Sequence, residues 1–261
     1  MGTDLLRIEH LTKNFGGIYA VNDLNMLVGK GEIVAVIGPN GSGKTTLFNL
    51  IVHLYDTTEG KIYFGDPPID IARVATHAIN ALGVARTFQT LRLFPNLTVV
   101  ENVLVGMSAR LRGGPLNAVF QTRRTRREET EAEAEALELL SLFGHRLVSM
   151  YNEPASSLSY ANRRRLEIAR ALASRPTLLL LDEPAAGMNP TETHEIMNDI
   201  ADIHERGCTI LLIEHDMGLV KGLAQRVIAI DHGTKIAEGS YQEVCSNPEV
   251  IKAYLGSGAQ A

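Results

Sequence analysis

The feature that most constrains the fold is the run Gly38–Thr45, which fits the pattern GxxxxGK(S/T) at every fixed position. The β-branched run Ile33–Ile37 precedes it and is typical of a strand buried on both faces. Apolar residues at the spacing i, i+3, i+4, i+7 follow it and predict an amphipathic helix. They are Leu47, Leu50, Ile51 and Leu54. Strand, loop and helix in this order predict a phosphate-binding loop, since chance rarely fixes all four motif positions in that setting.

The loop predicts a site for a nucleoside triphosphate with Mg²⁺. Glycines let successive backbone N–H groups surround phosphate oxygens without a Cβ clash, and the following helix adds its positive end. Lys44 supplies a full charge for the outer phosphates, and the Thr45 hydroxyl can ligate Mg²⁺. The candidate nucleotide-binding residues here are Gly38, Pro39, Asn40, Gly41, Ser42, Gly43, Lys44, Thr45 and Thr46.

A second apolar run, Leu178–Leu181, ends in two acids, Asp182 and Glu183. In a parallel sheet, ligands bind at the carboxyl ends of the strands. We therefore predict that Asp182 belongs to the Mg²⁺ shell and that Glu183 polarises the attacking water. The alternative is that the two acids only end the strand with solvated charge, which is ordinary loop chemistry; the matched phosphate loop makes this interpretation the weaker one.

A helix and a third strand follow this acidic pair. Asn189–Glu192 has Asn at the cap, Pro at the first helical position and Glu three residues past the cap, and we expect the helix to stop at Gly207. Its buried face is predicted to carry Ile196, Ile200 and Ile203. The run Thr209–Ile213 is predicted to be a strand. Strand, helix, strand is the order of a parallel sheet with helices on both sides.

The rest of the chain differs from this core. Residues 5 to about 65 alternate apolar and polar residues between glycine pairs, which predicts short strands and turns. From about 90 to 165 helical spacing predicts a helical lobe inserted into the α/β core. Its apolar positions include Ala132, Ala136, Leu139 and Phe143. Leu91–Val105 mixes apolar residues with Phe94 and Pro95 in an exposed position, so it is the candidate for a docking groove.

Several motifs together resemble those of the ATP-binding subunits of ABC transporters, over almost the whole chain. Leu158–Asn162 and the following Arg163–Ala171 are similar to the signature segment LSGGQ and its helix. The other resembling positions are Phe15, where the family stacks adenine, Gln89 of the Q-loop, Ala185–Pro190 of the D-loop, and His215, the switch histidine.

The resemblance implies ATP and Mg²⁺ as cofactors and a dimer of ATPase subunits, arranged head to tail with nucleotide between them. The implied catalytic residues are Lys44, Gln89, Glu183 and His215, and the implied Mg²⁺ ligands are Thr45, Gln89 and Asp182. The signature residues would serve the second subunit's nucleotide; they are Ser159, Tyr160, Ala161 and Asn162. Asn189 would belong to the D-loop.

The fold implied by the resemblance is an α/β P-loop NTPase core with a mostly parallel sheet, an N-terminal antiparallel β subdomain and an inserted helical subdomain. Residues 1–261 would form a single ABC ATPase domain. The catalytic core would cover about 1–88 and 172–240, the helical subdomain about 89–171, and a C-terminal tail helix about 241–256.

Within the family, the sequence is most similar to the ATPases of branched-chain amino acid (Liv-type) and urea or amide importers. The segments that carry this likeness are Gly83–Gln89, Asp182–Gly187 and Pro248–Gly256. It implies import of a small polar solute such as a branched-chain amino acid. It also implies two transmembrane permease subunits, a second ATPase subunit (the same chain or another) and a periplasmic or lipoprotein solute-binding protein. The chain would be peripheral, on the cytoplasmic face of a bacterial inner membrane.

Two observations bear on these partners, and two alternative functions stay open. No stretch approaches the roughly 20 apolar residues that cross a bilayer, so we expect any membrane role to depend on partner subunits. A net charge of -5 argues against broad nucleic-acid binding. The first alternative is the ATPase of a lipid or lipopolysaccharide exporter. The second is a subunit that binds nucleotide and hydrolyses it poorly.

The signature segment departs from the family pattern, with Tyr160, Ala161 and Asn162 where two glycines and a glutamine are usual. If Ala161 has an ordinary helical φ, the change costs nothing, because Ala is the best helix former. If φ is positive, the cost is about 1 kcal/mol, and the two sites of a dimer become unequal. In that case we expect the chain to work best in a heterodimer.

Overall fold

The computed structural model describes residues 4–108, 110 and 123–257. Its strands are β1 (Asp4–Phe15), β2 (Ile18–Gly29), β3 (Ile33–Ile37), β4 (Glu59–Phe64), β5 (Ile69–Asp70), β6 (Val84–Arg86), β7 (Leu178–Asp182), β8 (Thr209–Ile213), β9 (Arg226–Asp231) and β10 (Thr234–Gly239). Its α-helices are α1 (Lys44–Ile51), α2 (Thr76–Ile79), α3 (Val99–Met107), α4 (Arg123–Ser141), α5 (His145–Val148), α6 (Tyr160–Leu172), α7 (Pro190–Glu205), α8 (Met217–Leu223), α9 (Tyr241–Ser246) and α10 (Pro248–Ser257).

The N-terminal region forms an antiparallel sheet of four strands in the order β2-β1-β4-β5. The long strands β1 and β2 pair across a tight turn at Gly16 and Gly17, which both have positive φ. Apolar side chains of β1 such as Leu6 and Ile8 are buried, while the residues between them are half-buried or exposed. The strands and turns predicted for this region are confirmed, but β1 and β2, with 12 residues each, are longer than the short strands expected.

The central sheet has six strands in the order β10-β9-β3-β8-β7-β6. All neighbours from β9 to β6 are parallel, and only the β10–β9 pair is antiparallel. Strands β3, β7 and β8 are buried at every position. The mostly parallel sheet and its three apolar strands are therefore as predicted.

Successive side chains of these central strands enter two separate hydrophobic cores. Ile33, Ala35 and Ile37 pack with the helices on one face, whereas Val34 and Val36 pack with α1 and the N-terminal sheet on the other. Because side chains alternate along a strand, a continuous apolar run is required when both faces are covered. The central sheet is thus the layer that both cores share.

Helix α1 is shorter than the sequence predicts. It ends at Ile51, because Val52 leaves helical geometry (φ −92°, ψ 12°) and His53 adopts a left-handed φ of 50°. The Leu54 N–H then donates to the Asn49 carbonyl, 2.8 Å away, and the Leu54 side chain is 44% exposed. The prediction that Leu54 lies on the buried face was wrong, since the face ends one turn earlier.

The capping pattern predicted for α7 is confirmed. Asn189 Oδ1 accepts the N–H groups of Thr191 and Glu192 at 3.0 Å each, and the Glu192 carboxylate accepts the Asn189 N–H. Ile196, Ile200 and Ile203 are buried. The helix ends at Glu205, and Gly207 follows with a positive φ of 92°, so the chain leaves the helix where Gly was expected to stop it.

The predicted helical lobe consists of α3, α4, α5 and α6, whose buried residues join the core on one face of the central sheet. Ala132, Ala136 and Phe143 are buried as predicted, although Phe143 lies after the end of α4. Leu139 is half-buried, and Leu140 takes the fully buried position next to it. Among the described helices, none has the length and hydropathy needed to cross a membrane.

The predicted single tail helix forms as two helices, α9 and α10. Asn247 between them is extended (φ −69°, ψ 125°), because the residue before a proline disfavours helical geometry. The Asn247 side chain instead accepts the Glu249 N–H at 2.8 Å, which starts α10.

Leu50, near the C-terminal end of α1, and Leu54, which follows the helix, provide a test of where its buried face ends. Leu50→Ala removes a fully buried side chain, and we expect it to lower the free energy of unfolding by about 2–5 kcal/mol. Leu54→Ala changes an exposed side chain and should stay within about 0.5 kcal/mol of the original chain. Urea unfolding of the two variants measures both values, and equal losses would contradict the helix end at Ile51.

Candidate nucleotide site

The phosphate loop lies between β3 and α1, as the sequence predicts, and the backbone approaches its neighbours closely at two glycines. A Cβ on Gly38 would lie 2.0 Å from the Ile230 carbonyl oxygen, and one on Gly43 would lie 2.1 Å from the Ala20 oxygen. Both residues also have positive φ, 154° and 105° respectively. The motif therefore requires glycine at these positions for packing as well as for phosphate access.

Lys44 extends its side chain back into the loop. Its Nζ donates to the carbonyl oxygens of Gly38 (2.7 Å) and Pro39 (2.8 Å) and lies 3.4 Å from Ser42 Oγ. Burial lowers the pKa of Lys44, while the nearby carboxylates of Glu183 and Asp182 act in the opposite direction. The ammonium is thus held between the loop and the acidic strand end, where it can exchange carbonyl contacts for phosphate oxygens.

Asp182 ends β7 with its two carboxylate oxygens in different environments. Oδ2 accepts a hydrogen bond from Arg86 Nη2 at 2.9 Å, whereas Oδ1 is buried and has no hydrogen-bond partner among the described residues. Burial raises the pKa of Asp182, and the Arg86 charge opposes that rise. A buried, unpartnered carboxylate oxygen fits Mg²⁺, which takes oxygen ligands. The exposed Thr45, in the first turn of α1, is placed to add its hydroxyl to such a site.

Arg86 lies beside Asp182, although the sequence predicted no role for it. Its Nη1 donates to Asn49 Oδ1 at 2.6 Å, and its guanidinium lies 5.4 Å and 5.1 Å from the ring centroids of Phe48 and Phe88. This environment fixes the charge beside Asp182. In the sequence, Arg86 stands out only as part of Gly83–Gln89, a segment that resembles the importer ATPases, and that resemblance implied no role for an arginine.

Three predicted catalytic residues meet just beyond the ends of β7 and β8. Gln89 Nε2 donates to Glu183 Oε2 at 3.2 Å, and His215 Nδ1 lies 3.8 Å from Glu183 Oε1. Glu183 has a left-handed φ of 49°, which is uncommon outside glycine, and its N–H donates to the Ile213 carbonyl at 2.9 Å. This backbone conformation directs the chain from β7 sharply into the next loop, with the carboxylate between Gln89 and His215.

Glu214 was also missed, although it stands next to His215. Its carboxylate is buried and accepts the N–H groups of Ala185 (3.1 Å), His215 (3.1 Å) and Asp216 (3.3 Å). Burial raises the pKa of Glu214, and these three backbone N–H groups act against the rise. Glu214 thereby ties the loop after β7 to the loop after β8. A buried acid cannot be told from a solvated one when only the sequence is known.

The signature residues lie at the start of α6. Ser159 is exposed and caps the helix, its Oγ accepting the Asn162 N–H at 3.4 Å. Asn162 Oδ1 accepts from Arg165 Nη1 at 3.2 Å, and Tyr160 lies against Gly187 of the D-loop segment. The bonds of Ser159 and Asn162 are thus made within their own helix, whereas those of Gln89 and His215 point to Glu183.

Ala161 is the second residue of α6 and is not among the described residues that have positive φ. Its conformation is the one that Ala adopts at no cost. The structure therefore favours the first interpretation, in which Ala161 has an ordinary helical φ. The backbone strain that would make the two sites of a dimer unequal is absent at Ala161. Whether the working dimer is homo- or heteromeric stays a prediction.

Phe15 and Asn189 occupy two different settings. The Phe15 ring is 43% exposed, packs edge to face on Tyr55 at 5.4 Å and lies 4.9 Å from Lys13 Nζ. It therefore presents an open aromatic surface of the kind that can stack on a base. Asn189 uses its side chain to cap α7, which fixes the end of the D-loop segment.

The phosphate loop, the acidic strand end and the signature helix agree with the comparisons with known proteins. A family model described as "ABC transporter" matches residues 21–186, which is more than half of the chain. The chain belongs to the ABC transporter family. It is accordingly an ATP-hydrolysing cassette. A second model, described as "Branched-chain amino acid ATP-binding cassette transporter", matches residues 234–260.

Relatives of this ABC cassette match it over nearly its whole length. It is 43% identical to the high-affinity branched-chain amino acid transport ATP-binding protein LivG of Escherichia coli strain K12, over 98% of this chain and 99% of LivG. It is 42% identical to BraF of Pseudomonas aeruginosa, which carries the same description, with the same coverage.

Solved ABC cassettes share the fold. The ADP conformation of MJ1267, an ATP-binding cassette of an ABC transporter, superposes with a TM-score of 0.83 at 34% identity, covering 97% of this chain and 99% of that one. A dimeric bacterial ABC transporter cassette, MJ0796, superposes with a TM-score of 0.76 at 27% identity over 91% of this chain and 99% of that one.

The buried pair of Arg86 and Asp182 can be tested by stability. Arg86→Met removes the guanidinium and leaves a buried carboxylate without its partner, so we expect the free energy of unfolding to fall by about 3–5 kcal/mol. Adding Asp182→Asn to the same chain removes the unpaired charge and should recover part of the loss. Urea unfolding without Mg²⁺ measures both; a double variant as unstable as the sum of the singles would contradict the pairing.

Lys44→Ala tests the nucleotide cradle. The variant loses the only side-chain ammonium that the described phosphate loop holds, so we expect MgATP binding to be abolished at concentrations that saturate the original chain. Equilibrium binding of a fluorescent ATP analogue measures this. Lys61→Ala changes an exposed lysine on β4 and serves as a control for the general loss of a positive charge. Undiminished ATP affinity in Lys44→Ala would remove Lys44 from the cradle.

Proposed function

We propose that this ABC cassette drives the uptake of a branched-chain amino acid by hydrolysing ATP beneath a pair of permease subunits. The observation that carries the proposal is the 42–43% identity over 98% of the chain to LivG and BraF, both described as branched-chain amino acid transport ATP-binding proteins. The second family model, over residues 234–260, supports the same choice. This favours import over the lipid-export alternative.

The binding step that we propose starts at the phosphate loop. The N–H groups of the loop and the start of α1 would receive the phosphates of ATP, with the base on Phe15. Lys44 Nζ, now on the Gly38 and Pro39 carbonyls, would turn to the outer phosphates. Thr45, Gln89 and Asp182 would hold Mg²⁺, which neutralises charge on the phosphate oxygens when it is bound.

The chemical step would belong to Glu183. Its carboxylate accepts a proton from water as the water oxygen bonds to the γ-phosphorus, and the bond to the β–γ bridging oxygen breaks to leave ADP and phosphate. Gln89 Nε2 donates to Glu183 Oε2 at 3.2 Å, and His215 Nδ1 lies 3.8 Å from the other carboxylate oxygen. His215 is also exposed, so it can turn to the γ-phosphate. The proximity of Gln89 and His215 to Glu183 supports hydrolysis over the alternative of a subunit that hydrolyses poorly.

The signature of this chain would act on a second subunit. Ser159 is exposed at the N-terminus of a helix of 13 residues, where a hydroxyl and the positive end of the helix suit a phosphate. In its own chain it bonds to Asn162 and not to the phosphate loop. A head-to-tail dimer, with the same chain or another ATPase, would bring the two together.

The permease contact would lie on the segment that follows Gln89. Within Leu91–Val105, Phe94 and Val105 are large apolar side chains that remain exposed. Val105 also lines a pocket of about 260 Å³ shared with Arg86 and Arg170. Val99, Val100 and Val103 of the same segment are buried, so the segment is less exposed than expected. The proposed contact is confined to Phe94 and Val105, which both lie beside Arg170. We place the chain as a peripheral subunit on the cytoplasmic face of a bacterial inner membrane, with two permease subunits and a periplasmic or lipoprotein solute-binding protein, and no nucleic acid.

Glu183→Gln tests the chemical step. The amide keeps the shape of the side chain but cannot accept the proton from water, so we expect turnover to fall by about 10²–10⁴-fold while MgATP still binds. Phosphate release and ATP-analogue binding, measured on the same preparation, check the two parts. Hydrolysis at the original rate would rule out Glu183 as the base.

The transport role needs the assembled complex. Proteoliposomes that hold this chain, two permease subunits and a leucine-binding protein should take up labelled leucine only when ATP is enclosed, and Glu183→Gln should stop the uptake. Hydrolysis that responds to lipopolysaccharide and not to a leucine-loaded binding protein would contradict import and favour the export alternative.

A further inference from the structure

Two oppositely charged side chains of α6 are among the most buried in the molecule. Arg164 and Glu167 are 0% and 1% exposed, and Arg164 Nη1 donates to Glu167 Oε2 at 2.9 Å. Positions three apart on a helix face the same direction. The pair therefore points into one place, which is the segment around Gln89.

The pair holds the backbone of this segment at four points. Arg164 donates from Nη1 to the Phe88 carbonyl (2.6 Å) and from Nη2 to the Gln89 carbonyl (2.9 Å). Glu167 Oε1 accepts the N–H groups of Phe88 (3.4 Å) and Arg92 (3.3 Å). The backbone on both sides of the Gln89 side chain is thus attached to α6.

Burying two charges is a costly way to pack a helix. An apolar pair of similar volume is often as stable or more stable, and the best-attested use of a buried ion pair is to fix one register of two elements. Here both charges also bind backbone groups of residues 88–92, which an apolar pair could not do. The charged pair therefore fixes the position of residues 88–92 relative to α6.

The two elements joined in this way belong to different ATP sites. Gln89 reaches Glu183 of its own chain at 3.2 Å, whereas α6 begins beside Ser159, which we assigned to the nucleotide of the second subunit. We propose that Arg164 and Glu167 are positioning residues that make the Gln89 loop and the signature helix move as one body. A change at one ATP site is then passed to the other through four backbone hydrogen bonds.

The chain supplies a matched control in the next residue. Arg165 is also buried, at 2% exposed, and also ion-paired, but its acidic partners are Asp199 (2.8 Å) and Glu195 (3.0 Å) on α7, and its Nη1 donates to Asn162 Oδ1 at 3.2 Å. Replacing Arg164 or Arg165 by Met removes the same charge from the same helix. Only the first replacement removes bonds to the Gln89 segment.

The experiment is a pair of double-mutant cycles on the purified full-length chain, with kcat, KM for ATP and the Hill coefficient as readouts. Arg164→Met should lower kcat about tenfold and bring the Hill coefficient towards one. MgATP affinity should change by a smaller factor than kcat, because the phosphate loop and Lys44 are left intact and only one of the three proposed Mg²⁺ ligands, Gln89, is loosened. Combined with Gln89→Ala, Arg164→Met should add almost no further loss, while Arg165→Met and Gln89→Ala should multiply, because groups in one network are not additive.

Multiplying losses for Arg164→Met and Gln89→Ala would overturn the proposal, because the two residues would then act separately. If Arg164→Met does not fold, as judged by its circular dichroism melt, Glu167→Gln and Arg164→Lys replace it in the same cycle with the same expectation, Arg164→Lys giving the smaller loss. The proposal rests on the ATPase activity of the chain. An original chain without hydrolysis would contradict that activity, whereas additive cycles in an active chain contradict only the coupling.

Discussion

The register of three parallel strands is the constraint on which the site depends. Val36 of β3 and Asp182 of β7 both pair with Ile213 of β8, so the three strands end level with one another. The phosphate loop, the Glu183 loop and the His215 loop therefore start at one edge of one sheet, which is where open α/β sheets bind ligands. A shift of one residue in the β7–β8 pairing would turn Asp182 to the other face of the sheet. Because β7 and β8 are apolar on both faces, burial alone does not select this register; the contact of Asp182 with Arg86, at 2.9 Å, exists only in the observed one.

Buried charged side chains fix the loops of the site, because each of them binds backbone groups or an opposite charge. Arg86 donates a hydrogen bond to Asp182 Oδ2, and Asp182 Oδ1 stays available for a cation. Glu214 gathers three N–H groups from two loops, and Arg164 with Glu167 holds the Gln89 segment. In a medium of low dielectric constant such groups are strongly unfavourable when unpaired and directional when paired. The same residues that make the interior polar therefore fix the loops that carry catalysis.

Much of the fold could be predicted because its signals are local. The phosphate loop, the apolar strands and the Asn189 cap are each complete within about ten residues, and each was found where predicted. The prediction for Leu54 failed because the left-handed residue that ends α1 is His53, and without a glycine there nothing in the sequence indicated the helix end. Arg86, Arg164, Glu167 and Glu214 were not assigned because their roles come from partners 75 to 96 residues away or from burial. The roles given to Gln89, His215 and the signature residues came from resemblance, since none of them is recognisable alone.

The contacts of Lys44 and Asp182 differ in a way that bears on how the site responds to nucleotide. Lys44 Nζ is satisfied by two carbonyls of its own loop, so meeting a phosphate exchanges hydrogen bonds and adds few. Asp182 Oδ1 has no partner among the described residues, so a cation there gives it a first one. The larger gain on binding MgATP should then come from the metal side, where a buried acid is satisfied for the first time. Asp182 is next to Glu183, and Glu183 accepts a hydrogen bond from Gln89. The free energy gained at the metal is therefore gained beside the Gln89 segment, which Arg164 and Glu167 attach to α6.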